Sequence, residues 1–291
     1  MNAASNFAGQ EGGPLSGGRI PAPRRSLGVL LLQVFILSLL GVALAALLRA
    51  MPEMTRSRWS PDDLTVQLSA YALSLAGVLA MARLLWSLPW RGAVRRLGFK
   101  RPSGRLLAIG LAGLAPVLLG RVAVAAAYGA PLALVPGWPA TALKLAVGAG
   151  VYEEALGRGY VFQYLRPGRS FFAAAGLSGV VWALGHMVGL PLAVADGRLA
   201  FFFFSVSVQA AGAVILAFPS AYLFERGGGV LWGWSLTHFG IDFLALTALP
   251  SAAPAGVTLP ASFAAIALSG LVTWLCARAW LPEPGAAGVS A

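Results

Sequence analysis

Long apolar runs separated by short polar or Gly- and Pro-rich connections dominate the chain. They lie at 27–48, 64–88, 106–128, 141–165, 171–190, 199–224, 230–249 and 261–281. A helix needs about 20 apolar residues to cross the hydrocarbon core of a bilayer. In lipid the backbone satisfies its own hydrogen bonds only as a helix or a closed barrel. The pattern therefore predicts an all-α fold, a polytopic transmembrane bundle of about eight helices. Residues 1–26 are rich in Gly, Pro, Ser and Asn, have no apolar face to bury, and read as a disordered basic tail. For the first run a cleaved signal peptide is the competing reading, because basic residues precede it and Ala43-Leu44-Ala45 resembles a cleavage site. The run continues to Leu48, longer than a typical signal h-region, which favours a retained span. The connections are too short to hold a separate core, so 27–281 reads as one membrane domain, followed by a short tail at 282–291.

Composition agrees with the pattern. The chain has 291 residues, 58% of them hydrophobic and 11% charged, whereas soluble domains carry about 25% charged residues. A single cysteine excludes a disulfide-stapled secreted domain. The net charge of +11 raises the question of nucleic acid, and the placement of the charges answers it. The connection after the second run carries Arg91, Arg95, Arg96, Lys100, Arg101 and Arg105 without an acid. The tail before the first run is basic, and Arg166, Arg169 and Arg226 follow the fourth and sixth runs. The alternate connections are balanced or uncharged. This is the positive-inside pattern, which predicts both termini in the cytoplasm and a multi-pass protein of the cell membrane. The expected partners are the lipid bilayer and a membrane-associated protein or peptide, with no nucleic acid.

Ionisable groups inside the spans change the picture further. An ionisable side chain at the helix centre costs about 2.5–3.5 kcal/mol on insertion scales and is by default a functional-site hypothesis. Span four holds Glu153, Glu154 and Arg158, span five holds His186, and span seven holds His238 and Asp242; the chain has no other histidine. At α-helical spacing Glu154 and Arg158 share a face and neutralise one another, leaving Glu153 as the unpaired carboxylate. Gly157, one turn from Glu153, is expected to leave room beside it for water or a substrate backbone. His238 and Asp242 are likewise four apart. Trp182 stands one turn before His186, as a packing or wall aromatic. A carboxylate and two imidazoles brought from three helices activate water and stabilise an oxyanion, which suggests hydrolysis.

The runs Glu153-Glu154-Ala155-Leu156-Gly157-Arg158, Trp182-Ala183-Leu184-Gly185-His186 and His238-Phe239-Gly240-Ile241-Asp242 resemble the three motifs of the CPBP family. These are intramembrane endopeptidases that include the type II CAAX prenyl proteases and bacteriocin-processing or self-immunity proteins. The resemblance covers 141–249. It implies a catalytic set of Glu153, His186, His238 and Asp242, with Glu153 and His186 activating the attacking water and His238 and Asp242 binding the oxyanion. It implies supporting roles for Glu154 and Arg158. Trp182 stands where the family usually has Phe. Asp242 stands where asparagine is common, and an ionised aspartate repels an oxyanion rather than donating to it. Asp242 must therefore be protonated, orient His238, or bind a metal.

The function this predicts is hydrolysis of a peptide bond by glutamate- and histidine-activated water. The mechanism favoured needs no cofactor. Zinc held by Glu153, His186, His238 and Asp242 is the alternative, although the zincin His-Glu-x-x-His spacing is absent. The rival from another class is a proton-coupled transporter or a non-catalytic membrane scaffold. Arg121, inside span three, is expected either to meet a substrate carboxylate or to snorkel or pair. Substrate-binding residues are otherwise not legible, because the motifs build a catalytic centre and not a specificity pocket.

Overall fold

Each of the eight apolar runs winds into helix. A computed structural model describes residues 27–55, 63–129, 131–189, 194, 197, 199–247 and 254–281. The tails expected at 1–26 and 282–291 lie outside these residues. Among the described residues the helices are α1 (Leu27–Thr55), α2 (Asp63–Leu85), α3 (Trp90–Arg96), α4 (Gly104–Ala127), α5 (138–165), α6 (Phe171–Gly185), α7 (Leu199–Arg226), α8 (Trp232–Thr247) and α9 (Ala255–Trp280). The helix α3 is a short addition inside the basic connection. Ser103 and Ser170 cap α4 and α6, their side chains accepting from the backbone N–H of Leu106 and Ala173.

Among the described residues, five helices are long and apolar enough to cross a membrane: Leu27–Leu48, Asp63–Leu85, Gly104–Ala127, Phe202–Arg226 and Gly256–Trp280. The all-α polytopic bundle expected from the sequence is present, with these five spanning lengths among its nine described helices. Over the described residues α6 has 15 residues and α8 has 16, each a rise of about 22–24 Å. The remaining run, α5, is not a regular α-helix. It starts as α-helix at Trp138–Leu145, winds as π-helix over Ala146–Glu153 and Ala155–Phe162, and returns to α at Gln163–Leu165. Those three elements carry every ionisable group read as a site residue. Around them the long helices α1 and α4 expose Leu32, Phe35, Ile36 and Leu119, and α6 itself exposes Phe172, as a lipid-facing surface requires.

The helix α5 runs through the middle. Every residue of Ala155–Phe162 is buried, with α2 on one side and α6 and α7 on the others. One apolar cluster joins α1, α2, α5 and α6 through Leu30, Val34, Val78, Tyr160 and Val181. A second joins α4, α7, α8 and α9 through Ile109, Val117, Leu223, Trp234 and Ala265. Close backbone approach sets two of the crossings. A side chain on Gly110 would meet the carbonyl of Gly233, and one on Gly159 the carbonyl of Leu97. These contacts fix α8 against α4, and α5 against the turn after α3.

Candidate active site

Glu154 is the centre of a buried polar network. It is 0% exposed, and its Oε1 accepts from Arg158 Nη1 at 3.2 Å and from His238 Nδ1 at 2.7 Å. Arg158 is held a second time by Ser220 of α7, whose Oγ accepts from Nε at 2.8 Å and Nη2 at 2.6 Å. Ser220 in turn donates to the Leu216 carbonyl at 2.6 Å. The expected pairing of Glu154 with Arg158 is therefore present, and Ser220 completes it. Nothing in the sequence beyond a serine following Pro219 in an apolar helix pointed to that residue.

This network orients His238. An ionised carboxylate only accepts, so Nδ1 of His238 carries the proton that Glu154 receives and Nε2 is turned the other way. There it lies 4.0 Å from Glu153 Oε2 and 3.7 Å from Asp242 Oδ2. Both separations are ion-pair distances and too long for hydrogen bonds. Of the roles considered for Asp242, orienting His238 thus falls to Glu154 instead. The Asp242 side chain stays 35% exposed, with no hydrogen bond among the described residues.

His186 ends α6, where a 3₁₀ turn at His186–Gly189 begins. Its Nδ1 lies 3.0 Å from the carbonyl of Trp182. A carbonyl only accepts, so Nδ1 carries the proton and Nε2 is left as an acceptor. The Trp182 ring lies 4.0 Å from the His186 ring and 6.4 Å from the His238 ring, between the two imidazoles. Beside Gly157 a side chain would meet only Trp182 Cδ1, at an ordinary contact distance of 3.7 Å. Glu153 opens on the cavity in front of it.

That cavity measures about 650 Å³ and is lined by Glu153, His186, His238 and Asp242. It falls within the ~300–1,000 Å³ of ligand sites. Arg158 and Trp182 also line it, and Phe204, Val208, Leu259 and Phe263 make its wall apolar. Glu154 stands behind the wall. Glu153 and His186 share the cavity, but no ion pair within 4 Å joins them among the described residues; the nearer imidazole to Glu153 is that of His238. Arg121 faces the same cavity from α4. As for metal, no group of three or more His, Cys, Asp or Glu among the described residues is arranged to hold an ion. The two carboxylates that approach His238 Nε2 stand farther off than the roughly 3.3 Å between neighbouring ligands of a tetrahedral zinc with 2.0–2.1 Å bonds.

No curated protein and no solved structure matches the chain. A family model does, over the residues that build this cavity from α5, α6 and α8. Residues 135–244 match the family described as type II CAAX prenyl endopeptidase, Rce1-like, and that stretch carries the three motifs that end in Arg158, His186 and Asp242.

Proposed function

We propose that the protein is an intramembrane endopeptidase that hydrolyses a peptide bond of a membrane-associated protein or peptide with activated water. The observation that carries this reading is the convergence of Glu153, His186, His238 and Asp242 on one cavity among apolar helices. Glu153, the acid not tied into the Arg158 network, is the general base. His186 Nε2 accepts a hydrogen bond from the same water and holds it for attack. As the water oxygen bonds to the carbonyl carbon, Glu153 takes the proton and the carbonyl oxygen becomes an oxyanion. His238, as an imidazolium stabilised by Glu154, donates from Nε2 to that oxyanion. Asp242 completes the oxyanion side in its protonated form, as a donor. The C–N bond then breaks and Glu153 returns the proton to the leaving amine. Arg158 and Ser220 act through Glu154 by holding it against His238.

In this reading the substrate enters from the membrane, and the cell membrane, with both termini in the cytoplasm, is the protein's location. The test compares membrane peptides in cells expressing the wild type or Glu153→Ala. The variant is expected to insert and fold normally while its substrate accumulates uncleaved; full cleavage by the variant would falsify the assignment. The same purified preparation tests the cofactor. Activity that survives chelation, with no stoichiometric metal, is expected, whereas chelator-sensitive activity with one zinc per chain replaces this mechanism with the zinc-dependent one.

A further inference from the structure

Arg121 is a buried charge that the proposed chemistry leaves unused. It lies on α4 within two turns of the helix end at Ala127 and is only 7% exposed. It lines the cavity shared by Glu153, His186, His238 and Asp242. Its guanidinium has no hydrogen bond or ion pair with any described residue. Arg158, in the same cavity wall, is matched by Glu154 and Ser220. Arg121 also borders a smaller recess, with Thr258 and Ser262, that contains none of the site's acids or histidines. Thr258 and Ser262 line the larger cavity as well, so the Arg121 side chain stands where the recess and the cavity meet. A membrane-depth arginine is costly and ordinarily finds an anion, and here the anion has to come from what enters the cavity.

We propose that Arg121 is a substrate-anchoring residue that binds a carboxylate carried by the peptide and so sets which peptide bond lies against Glu153. The choice of a peptide as carrier rests on the endopeptidase reading above. The planar fork of a guanidinium matches a carboxylate through two parallel hydrogen bonds. One cation neutralises one carboxylate. A phosphate would bring close to two negative charges into a recess with a single arginine. The carboxylate is either the chain terminus or an acidic side chain. Held at Arg121, it fixes the number of extended residues, at about 3.3–3.6 Å each, between itself and the scissile bond.

The test uses the full chain carrying Glu153→Ala, reconstituted in nanodiscs, so that binding is read without cleavage. The probe is a fluorescent octapeptide of Leu, Val and Ala in three forms: free acid, C-terminal amide, and amide with glutamate as its last residue. At least one carboxylate form is expected to bind about tenfold or more tightly than the plain amide. Which form does so identifies the carboxylate as terminal or side-chain. Adding Arg121→Leu is expected to erase the difference while leaving amide affinity unchanged, and Arg121→Lys to restore part of it. Equal binding of all three forms, or a preference that survives Arg121→Leu, overturns the proposal. Should Arg121→Leu not fold, the comparison of the three forms on the Arg121 protein decides alone. Wild type that prefers the carboxylate yet never cleaves it overturns the endopeptidase reading and leaves the anchor. Wild type that cleaves all forms with equal kcat/KM overturns the anchor and leaves the endopeptidase.

Discussion

Two adjacent glutamates have opposite surroundings. Glu154 is sealed behind the cavity and held through Oε1 by a guanidinium and an imidazole, while Glu153 faces the cavity with no hydrogen bond among the described residues. Asp242 lies at the same opening, 3.7 Å from His238 Nε2. If it serves there as a hydrogen-bond donor to the oxyanion, an amide can do the same work. Asp242→Asn is therefore expected to keep cleavage within about tenfold of wild type. Asp242→Leu is expected to lose about 10²–10³ in kcat, the usual loss for one oxyanion donor. Cleavage assays on the two variants check this. An equally large loss in both would mean that a carboxylate is needed at 242, as a base or a ligand.

The element that matters most is α5, and its winding explains part of what spacing alone misjudged. Glycines at 148, 150, 157 and 159 interrupt it, and most of 146–162 is π-helix, a wider coil that recurs at functional sites. Spacing read at 100° per residue takes the segment for a regular α-helix and misses that wider winding. The partner element α8 is positioned by polar and small residues instead of bulk. Thr237 Oγ1 donates to the Gly110 carbonyl at 3.0 Å, and Gly110 and Gly233 bring the two backbones together. Gly110→Val is expected to push α8, with His238, away from α4 and to destabilise the fold by about 1–3 kcal/mol. Gly104→Ala, where a side chain would meet nothing within 4 Å, is the control and should change stability by less than about 0.5 kcal/mol. Thermal unfolding in detergent distinguishes the two.

On the scale of the whole molecule, the basic connections gather at one end. Gln163 Nε2 donates to the Arg96 carbonyl at 2.5 Å, Leu231 N to the Gly98 carbonyl at 3.1 Å, and Lys100 Nζ to the Gly228 carbonyl at 2.6 Å. Burial, and then the charges of Arg96 and Arg95, push the Lys100 amine below its usual range. Nearby Glu225 holds Arg166 above its usual value through two hydrogen bonds of 3.0 Å. Tyr160 donates to Gln33 near the start of α1 and packs its ring on Trp86, and Trp274 near the close of α9 packs on Tyr222 near the close of α7, which brings the first and last helices to this end. If that end is cytoplasmic, a membrane-impermeant maleimide applied to intact cells should label Leu132→Cys and spare Arg101→Cys, in a Cys276→Ala background. The reverse pattern would invert the topology.

Helix content, the bilayer as solvent and a set of candidate site residues were legible in the order of residues, because apolar length and the cost of burying charge are local properties. The motif spacings pointed to Glu153, His186, His238 and Asp242 before any fold was known, and the family match covers the same stretch. What spacing could not supply were contacts between helices distant in the chain. Only the tertiary structure decided that Glu154, and not Asp242, holds His238 across 84 residues. It alone brought Ser220 to Arg158 and left Arg121 facing the cavity without a partner among the described residues. Which groups neutralise one another inside a membrane depends on which helices touch. Close-packed interfaces between many helices settle that, and no single helix encodes it.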